Sequence, residues 1–410
     1  MRIVFLSDDF PPQSFGGAGI VAYDFALGMK GLGHEVFVIT TCRNRDEAGE
    51  SEFHGLKVWK ILSNYSPRWR SYLSLYNPRV VRQVGKLLQK IKPDVVHANN
   101  IHFYLSYHSL VVAKRFSKAV VITLHDVMAF NFGKLNTRQY LENFDAHTTW
   151  FDHARQAKKR WNPLRNLFIR KYLRGVDKLF AVSQALKKAL EQNGIKNVET
   201  MYFGADVNLW RTNGVEAAQF RERYNLKNKK IILFGGRLSD AKGGGKALEA
   251  MAEIAKEVDN VILLVAGKID GYATLMKEMA DKLGMADRLV FTGWIERDEI
   301  KYAYACADLV LVPSIIFDSF PRIILEAMAS GRPVVGTCYG GAPEIIEDGL
   351  TGYVVNPFHT KEMAEKMLDL LKNPEKAERF GKAGYERVKT HFDLNEKILQ
   401  INSFYQELCR

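Results

Sequence analysis

The chain has 410 residues, of which 47% are apolar and 25% are charged, as in ordinary globular proteins. This length exceeds what one hydrophobic core usually serves, so we expect two domains. No stretch approaches the roughly 18–20 consecutive apolar residues that a transmembrane helix requires, so no spanning helix is predicted. The excess of 58 basic over 46 acidic residues gives a net charge of +12, which suits an anionic ligand, a phospholipid surface or nucleic acid.

Apolar runs alternate with helical patterns along nearly the whole chain. An amphipathic helix is predicted from Gly19 to Leu32, and the strands predicted in the first half are 2–7, 35–40, 94–99, 119–125 and 178–183. The pattern restarts after the polar segment 211–230, which is interpreted as a linker. The second half is predicted to contain strands 231–236, 261–267, 289–293, 308–314 and 333–337 and helices 242–257 and 272–284. Buried parallel strands joined by helices have this pattern, so we predict an α/β protein with two doubly wound sheets.

The first residues, MRIVFLSDDF, turn acidic after a short apolar run and are interpreted as a strand, not a signal peptide. The four cysteines are scattered without a CxxC pair, which is typical of free thiols in a reducing compartment. We therefore expect a cytoplasmic protein.

Glycine-rich loops precede two predicted helices. The pattern Gly17-x-Gly19-x-x-Ala22 resembles a dinucleotide fingerprint, but it lies about ten residues past its strand, and no acid ends the second strand. Gly16 and Gly17 can still bring backbone N–H groups close to a phosphate, as can Gly340–Gly341. A plain flexible loop is the alternative.

The segment GGGKA resembles a phosphate-binding P-loop but lacks its first glycine and its Ser or Thr. What remains is Arg237 at a strand end and Lys242 at a predicted helix start. Two cations beside the positive end of a helix would suit a diphosphate. A solvated basic turn is the alternative.

Two carboxylates, Asp318 and Glu326, flank the start of a predicted helix, with Pro321 as its first residue and Ser319 or Phe320 as its cap. An acid within the apolar segment IILEAMA is costly without a partner. A carboxylate can accept both hydrogen bonds of a ribose diol. Structural ion pairing of both acids is the alternative.

Several segments in order along the chain resemble the retaining glycosyltransferases of family 4, which have the GT-B fold. They are FPPQSFGGAGIVAYDFALGMKGLGHEVFVIT, DVVHAN, TLHD, FAVSQALKKAL, GADVNLW, GGRLSDAKGG and LEAMASGRPVVGTCYGGAPEIIEDGLTGYVV. The resemblance implies two Rossmann-like domains facing across a cleft. It assigns 1–208 to acceptor binding, 209–391 to donor binding and 392–410 to a last helix that crosses back onto the first domain.

The resemblance also implies roles for single residues. Glu326 would hold the ribose of a nucleoside-diphosphate sugar, Asp318 would face the donor sugar, and His125 would lie beside the reacting centre. The implied catalytic residues are His125, Asp318, Arg237 and Lys242. The implied donor-binding residues are Gly16, Gly17, Arg237, Lys242, Asp318, Ser319, Phe320, Pro321, Arg322 and Glu326.

Two positions depart from the family pattern. Asp318 is one methylene shorter than the usual Glu, which changes its reach toward the sugar. Phe203-Gly204 stands where Asn-Gly is common.

The resemblance implies sugar transfer with retention to a hydroxyl acceptor, which could be a glycan, a lipid-linked sugar or a small polyol. A front-face route with charge stabilisation on the diphosphate fits these residues. No metal or other cofactor is expected, because no Asp-x-Asp occurs and the histidines between His97 and His153 match no compact zinc spacing. A nucleotide-sugar epimerase, a non-catalytic nucleotide- or glycan-binding protein and a membrane-recruited structural protein are the alternatives.

Basic and aromatic residues concentrate in two segments of the first half, 65–83 and 153–174, and the second has eight Lys or Arg and no acid. This composition suits peripheral docking on an anionic membrane surface, which would be the inner membrane face. A solvated basic helical face is the alternative. A nucleic-acid partner is not expected, because no recognition motif accompanies the charge.

Overall fold

The computed structural model describes residues 1–13 and 16–410, which form two compact units. The first unit comprises Met1–Phe203 together with Asn395–Arg410, and the second comprises Gly204–Leu394. Each unit has its own sheet.

The first unit alternates strands and helices as its sequence pattern predicts. Its strands are β1 (Arg2–Ser7), β2 (Glu35–Cys42), β3 (Gly49–Phe53), β4 (Leu56–Leu62), β5 (Val95–Asn99), β6 (Ala119–Leu124), β7 (Lys178–Ala181) and β8 (Val198–Thr200). Its helices up to residue 203 are α1 (Gly17–Gly31), α2 (Arg70–Leu73), α3 (Pro78–Ile91), α4 (His108–Phe116), α5 (Arg138–Asn143), α6 (Trp150–Ala157), α7 (Arg165–Leu173) and α8 (Gln184–Gln192).

The first sheet has the strand order β3-β4-β2-β1-β5-β6-β7-β8. All neighbouring pairs are parallel except β3 and β4, which form an antiparallel hairpin at one edge. The chain order reverses between β1 and β5, where Ile3 is aligned with Val95. Ligands of open parallel sheets bind outside the carboxyl ends of the strands at such a reversal.

The second unit repeats the alternation. Its strands are β9 (Lys230–Gly235), β10 (Val261–Ala266), β11 (Leu289–Gly293), β12 (Leu309–Val312), β13 (Val334–Thr337) and β14 (Gly352–Val355). Its helices are α9 (Gly214–Arg223), α10 (Gly244–Ile254), α11 (Gly271–Lys282), α12 (Ile300–Cys306), α13 (Arg322–Ala329), α14 (Ala342–Ile345), α15 (Thr360–Lys372) and α16 (Pro374–His391).

The second sheet has the order β11-β10-β9-β12-β13-β14, with every pair parallel. This is the Rossmann order, and its reversal lies between β9 and β12. The inner strands are apolar throughout because helices cover both faces; all six residues of β10 are buried. The predicted α/β architecture with two parallel sheets is confirmed.

The last helix, α17 (Leu394–Cys409), packs on the first unit. The side chain of Ile398 lies so close to Gly28 of α1 that a β-carbon there would come within 2.3 Å of it. His97 and Tyr405 share a buried hydrogen bond, and His34 Nε2 lies 2.8 Å from Asn402 Oδ1. A side chain at position 28 would therefore displace α17.

Some boundaries differ from the sequence predictions. The segment 211–230 is not only a linker, because α9 forms within it, starting at the Asn213 cap and burying Phe220. One buried aromatic residue in a polar stretch gives too weak a period to predict this helix. The predicted helix 242–257 begins later, since Asp240–Lys242 form a 3₁₀ turn that ends at Gly243 with φ of +78°.

Candidate functional site

In the second unit, Asp318 lies in the loop between β12 and α13, beyond the carboxyl end of the sheet. Its Oδ2 accepts a hydrogen bond from Lys242 Nζ at 2.5 Å and another from Ser314 Oγ at 3.1 Å. The ion pair is mostly shielded, with the Asp318 side chain 15% exposed and that of Lys242 31% exposed. Two residues predicted for the same site, 76 positions apart in sequence, are therefore in direct contact.

Two glycines allow this loop to pack closely. Gly340 has φ of +71°, and a β-carbon there would lie 1.9 Å from the Asp318 carbonyl oxygen. Gly341 N–H donates to that same oxygen at 2.9 Å. Gly243 has φ of +78° and lies equally close to the Pro313 carbonyl, at 2.0 Å from a built β-carbon. Only glycine fits both positions without displacing the loop that carries Asp318.

Glu326, on α13, is held by two neighbours. Its Oε2 accepts from Tyr304 Oη at 2.8 Å, and its Oε1 accepts from Arg322 Nε at 3.2 Å, one helical turn earlier. Burial, followed by the charge of Glu326, raises the pKa of Tyr304 well above its usual range, so this phenol stays a donor. A carboxylate offers about four acceptor positions, so two remain for a ligand.

Arg237 is exposed beyond the end of β9, and among residues 1–13 and 16–410 it forms no ion pair. The Tyr272 hydroxyl lies at the first turn of α10, where a β-carbon at Gly244 would come within 3.0 Å of it. A diphosphate at this helix end would compete with Tyr272 for that space. Arg237 is therefore the more available of the two predicted diphosphate cations.

The residues between the two acids are more buried than the sequence suggests. Ser319 is 7% exposed and Phe320 5% exposed, with the Phe320 ring 5.8 Å from that of Phe392. Their side chains therefore pack inside the unit. The predicted helix start is wrong by one residue, because Pro321 has ψ of 108° and is the cap of α13, and Arg322 is its first helical residue.

In the first unit, Asp8 lies at the reversal between β1 and β5. Its carboxylate accepts backbone N–H groups from Phe103 at 2.6 Å, Tyr104 at 2.8 Å and Leu105 at 2.7 Å. Burial raises the pKa of Asp8 to about 7, because desolvation outweighs the three hydrogen bonds. Asp8 thus fixes the loop after β5.

His125 follows β6 in the same unit. Its Nε2 lies 2.9 Å from Asn99 Oδ1, and its ring stacks on Phe203 at 6.4 Å between centroids. Burial lowers the pKa of His125 to about 4, although Asp126 partly opposes this shift. The imidazole is therefore neutral at pH 7. Phe203, where the family pattern has Asn, gives this ring an apolar neighbour.

The glycine loop before α1 is only partly described, since Ser14 and Phe15 lie outside the described residues. Gly16 caps α1, and Gly17 is its first residue, with no atom within 4 Å of a built β-carbon. Gly19 differs, because a β-carbon there would lie 2.8 Å from the Asp9 carbonyl oxygen. The close approach of the Asp9 carbonyl therefore explains why position 19 is glycine, but no contact within the described residues explains why position 17 is.

Gly204 is also required by packing, since a β-carbon there would lie 2.4 Å from the Phe392 carbonyl oxygen. Ala205 N–H donates to that oxygen at 3.0 Å and pairs with Asp393 as an isolated bridge. The Gly of the Phe203-Gly204 pair thus has a structural role.

Two family models match the chain. The model described as Glycosyltransferase Family 4 matches residues 15–209, and the model described as Glycosyl transferases group 1 matches residues 216–387. The chain belongs to the group 1, family 4 glycosyltransferases.

Curated relatives of this glycosyltransferase have low sequence identity to it but align over most of its length. It is 27% identical to a sulfoquinovosyl transferase of Arabidopsis thaliana over 90% of its own length and 66% of that protein. It is 25% identical to an N-acetyl-alpha-D-glucosaminyl L-malate synthase of Bacillus anthracis over 97% of its own length and 95% of that protein. The chain thus spans just under two thirds of the plant relative and nearly all of the bacterial one.

Solved structures show the GT-B fold for this glycosyltransferase. Anabaena HepE in complex with UDP-glucose aligns with a TM-score of 0.74 at 22% identity, covering 99% of this chain and 100% of that one. Sucrose-phosphate synthase from Thermosynechococcus elongatus aligns with a TM-score of 0.81 at 21% identity, covering 99% and 98%. The predicted GT-B fold is confirmed.

The sequence missed the partners that hold the predicted site residues in this glycosyltransferase. Tyr304 and Ser314 belong to no motif, and Asp8 belongs to the acidic pair after the first predicted strand, to which the sequence assigns no role. A buried tyrosine on a short helix has no local signal that distinguishes it from core packing.

Proposed function

We propose that the chain transfers a sugar, with retention of its anomeric configuration, from a nucleoside-diphosphate sugar to a hydroxyl acceptor. The observation that carries the proposal is the Lys242–Asp318 pair beyond the carboxyl end of the second sheet, one loop before Glu326 on α13. In this assignment Glu326 binds the ribose, Arg237 and Lys242 bind the diphosphate, and Asp318 contacts the sugar. HepE binds UDP-glucose, so UDP-glucose is the first donor to test.

The proposed chemistry is a front-face displacement. The bond from the anomeric carbon to the leaving phosphate oxygen breaks, and the acceptor oxygen bonds to the same face of that carbon. The acceptor proton passes to the leaving phosphate oxygen. Arg237 and Lys242 would stabilise the charge that develops there, and removing one such donor typically costs on the order of 10²–10³ in rate. Neutral His125 could donate or accept a hydrogen bond beside the sugar but would not act as a cation.

Gly16 and Gly17 are proposed to bring backbone N–H groups near the donor phosphate. The open space around Gly17 supports this, because no atom of residues 1–13 or 16–410 lies within 4 Å of a β-carbon placed there. The proposal includes no metal and no other cofactor.

The test begins with thermal shifts of the protein with UDP, GDP, ADP and their common sugar conjugates. A ligand at 100 times its Kd should add about 2.7 kcal/mol of stability. The bound conjugate is then incubated with candidate acceptors, and the product linkage is read by NMR. Donor conversion without any acceptor would instead establish an epimerase, and nucleotide binding without turnover would establish a binding protein. An inverted product anomer would refute the retaining mechanism.

We also propose that the enzyme is cytoplasmic and docks on an anionic inner membrane face through the first unit. Two basic segments meet there, since Tyr72 Oη donates to the Trp161 carbonyl at 3.3 Å and Asn162 Nδ2 to the Ser71 carbonyl at 3.1 Å. An exposed aromatic patch surrounds this junction. It consists of Trp69 (50% exposed), Tyr72 (48%), Trp150 (55%) and Phe151 (77%). No helix among residues 1–13 and 16–410 is long and apolar enough to cross a membrane.

Exposed aromatic side chains beside Lys and Arg suit the interface of an anionic bilayer, where each basic residue near the surface adds roughly 1 kcal/mol. Sedimentation with phosphatidylglycerol vesicles should fall strongly for Trp69→Ser combined with Phe151→Ser. Leu399→Ser, at an apolar residue of α17 that is 48% exposed, is the control. Equal loss in the control, or no binding by the wild type, would contradict membrane docking.

A further inference from the structure

Two asparagines at the end of β5 contact the two residues that follow β6, His125 and Asp126. The strands are neighbours in the first sheet, and Asn99 is aligned with Thr123. Asn99 Oδ1 lies 2.9 Å from His125 Nε2. Asn100 Oδ1 accepts from the His125 backbone N–H at 3.4 Å, and Asn100 Nδ2 donates to Asp126 Oδ2 at 3.2 Å. One amide therefore holds the ring of His125, and the other holds its backbone.

Asn100 also has a structural role that does not involve the ring. Its φ of +39° lies in the left-handed region, which Asn adopts more readily than most residues. Its carbonyl accepts from the Asp8 N–H at 3.1 Å and so joins the loops after β5 and β1. Backbone conformation and loop packing thus explain an asparagine at position 100. They do not explain one at position 99, which lies in an ordinary strand.

The Asn99 side chain is held by His125 alone within residues 1–13 and 16–410. Asn99 is 0% exposed, and its buried Nδ2 has no hydrogen-bond partner in this described part of the chain. A buried amide donor without an acceptor costs stability, so a core position would be better served by an apolar residue. The contact between its Oδ1 and His125 is therefore the reason for a polar residue at position 99.

This contact determines which nitrogen of the imidazole carries the proton. Because burial lowers the pKa of His125 to about 4, the ring is neutral at pH 7 and has one N–H group. An amide oxygen accepts a hydrogen bond but cannot donate one, so the proton lies on Nε2, which faces Asn99 Oδ1. Nδ1 keeps its lone pair and forms no hydrogen bond with any described residue. His125 is partly exposed, so its ring remains open to a ligand.

We propose that Asn99 is a positioning residue that fixes His125 as the Nε2–H tautomer, so that Nδ1 accepts a hydrogen bond from a hydroxyl of the transferred sugar. Asn99 is buried and acts only through His125. Phe203 stacks on the same ring at 6.4 Å between centroids and limits its rotation. A hydroxyl is the complementary sugar group, because it can donate to Nδ1 whereas an ionised carboxylate cannot. The assignment rests on the proposed function, since it states what His125 does in that reaction.

NMR spectroscopy of the full chain labelled with nitrogen-15 histidine tests the tautomer directly. Two-bond proton–nitrogen correlations show which ring nitrogen carries the proton, and the His125 signals are assigned by their absence in His125→Gln. In the wild type at pH 7 we expect a protonated Nε2 and an unprotonated Nδ1. The opposite tautomer would overturn the proposal, because Asn99 would then have to donate to the ring.

Three variants show whether Asn99 causes this preference. Asn99→Leu has nearly the same shape but no acceptor, so His125 should become a mixture of tautomers. Asn99→Asp keeps an acceptor oxygen and should keep Nε2 protonated, which preserves the test if the Leu variant does not fold. Thr123→Val is the matched control, because Thr123 is buried on the neighbouring strand and hydrogen-bonds His97 at 2.8 Å instead. An unchanged tautomer in Asn99→Leu, loss of the Nε2 proton in Asn99→Asp, or the same change in Thr123→Val would refute the assignment.

Kinetics separate positioning of the ring from a general effect on folding. With UDP-glucose, or with the donor that the thermal shifts select, Asn99→Leu should lower kcat by up to about 10²-fold, as expected for a misplaced contact at the reacting centre. The Kd of UDP should not change, because the proposed nucleotide contacts lie in the second unit. An unchanged kcat, or an equal loss of kcat and of UDP affinity, would contradict the positioning role.

The spectra also separate this assignment from the proposed function. An Nε2–H tautomer that depends on Asn99, in a protein that transfers no sugar, would leave the control of the ring by Asn99 standing and refute glycosyl transfer. Sugar transfer by a protein whose His125 is the Nδ1–H tautomer would do the reverse.

Discussion

Replacement of Glu326 by Ala should weaken the binding of UDP, or of whichever nucleotide the donor panel selects. The Glu326 carboxylate accepts one hydrogen bond from Tyr304 and one from Arg322, so about two of its acceptor positions remain for the ribose hydroxyls. Hydrogen bonds to a charged group contribute about 1.5–3 kcal/mol. The Kd should therefore rise by about 10–150-fold.

Isothermal titration with UDP and with 2′-deoxy-UDP makes this test specific for the ribose. The wild type should prefer UDP, and Glu326→Ala should lose that preference. Tyr304→Phe is the control, because it removes one neighbour of the carboxylate but leaves the ribose-facing positions in place. It should lower the free energy of unfolding by about 0.5–1.5 kcal/mol with little change in nucleotide affinity. If Glu326→Ala weakened both nucleotides equally, or neither, the ribose assignment would be refuted.

Four further predictions concern the rest of the molecule. Lys242→Met should lower turnover by about 10²–10³ with a smaller change in urea stability; a parallel fall of both would make its ion pair with Asp318 structural. Gly340→Ala should cost about 2–5 kcal/mol of unfolding free energy, because left-handed strain adds to overpacking against Asp318. Gly349→Ala has a similar φ of +73° but open space, so it should cost only about 1–2 kcal/mol, and equal losses would contradict the close approach. Burial lowers the pKa of His97 to about 3, against about 6.5 in the unfolded chain. Below pH 6.5 the unfolded chain therefore takes up a proton that the folded protein does not, and the free energy of unfolding falls. His97→Gln should therefore reduce the loss of stability between pH 6 and pH 5 by up to about 1.4 kcal/mol, and an unchanged pH slope would argue against a neutral buried His97. Dialysis against EDTA should leave glycosyl transfer unchanged, and activity restored only by a divalent ion would refute metal independence.

The local sequence determined most of the strands of both sheets. Runs such as 2–7 and 289–293 match β1 and β11 residue for residue, because both runs are mostly apolar; β1 is buried at five of its six residues, and β11 is half-buried along its length. The β3–β4 hairpin, β8 and β14 were not predicted. β3 is largely exposed, so its composition approaches that of a loop, and β8 and β14 have only three and four residues, which is too short to show a period.

The ordered motifs of the sequence also determined the family, and they placed Asp318 in a loop and Glu326 on a helix. Only the tertiary structure decided their partners. Lys242 reaches Asp318 across 76 positions because the segments after the neighbouring strands β9 and β12 both lie beyond their carboxyl ends. Tyr304 reaches Glu326 across 22 positions because α12 packs beside α13. No periodic pattern in the sequence predicts such contacts between distant residues.

The burial of Arg165, which is 3% exposed, shows the same division. The sequence established a basic, aromatic segment from 153 to 174 and left open whether it is a solvated face. The fold turned Arg165 inward while leaving Arg174 in solvent, because Arg165 begins α7 on the face that also buries Ile169 and Leu173, whereas Arg174 lies just past the end of the helix. Charge and composition are properties of the sequence, but which charges are buried together depends on how distant segments pack.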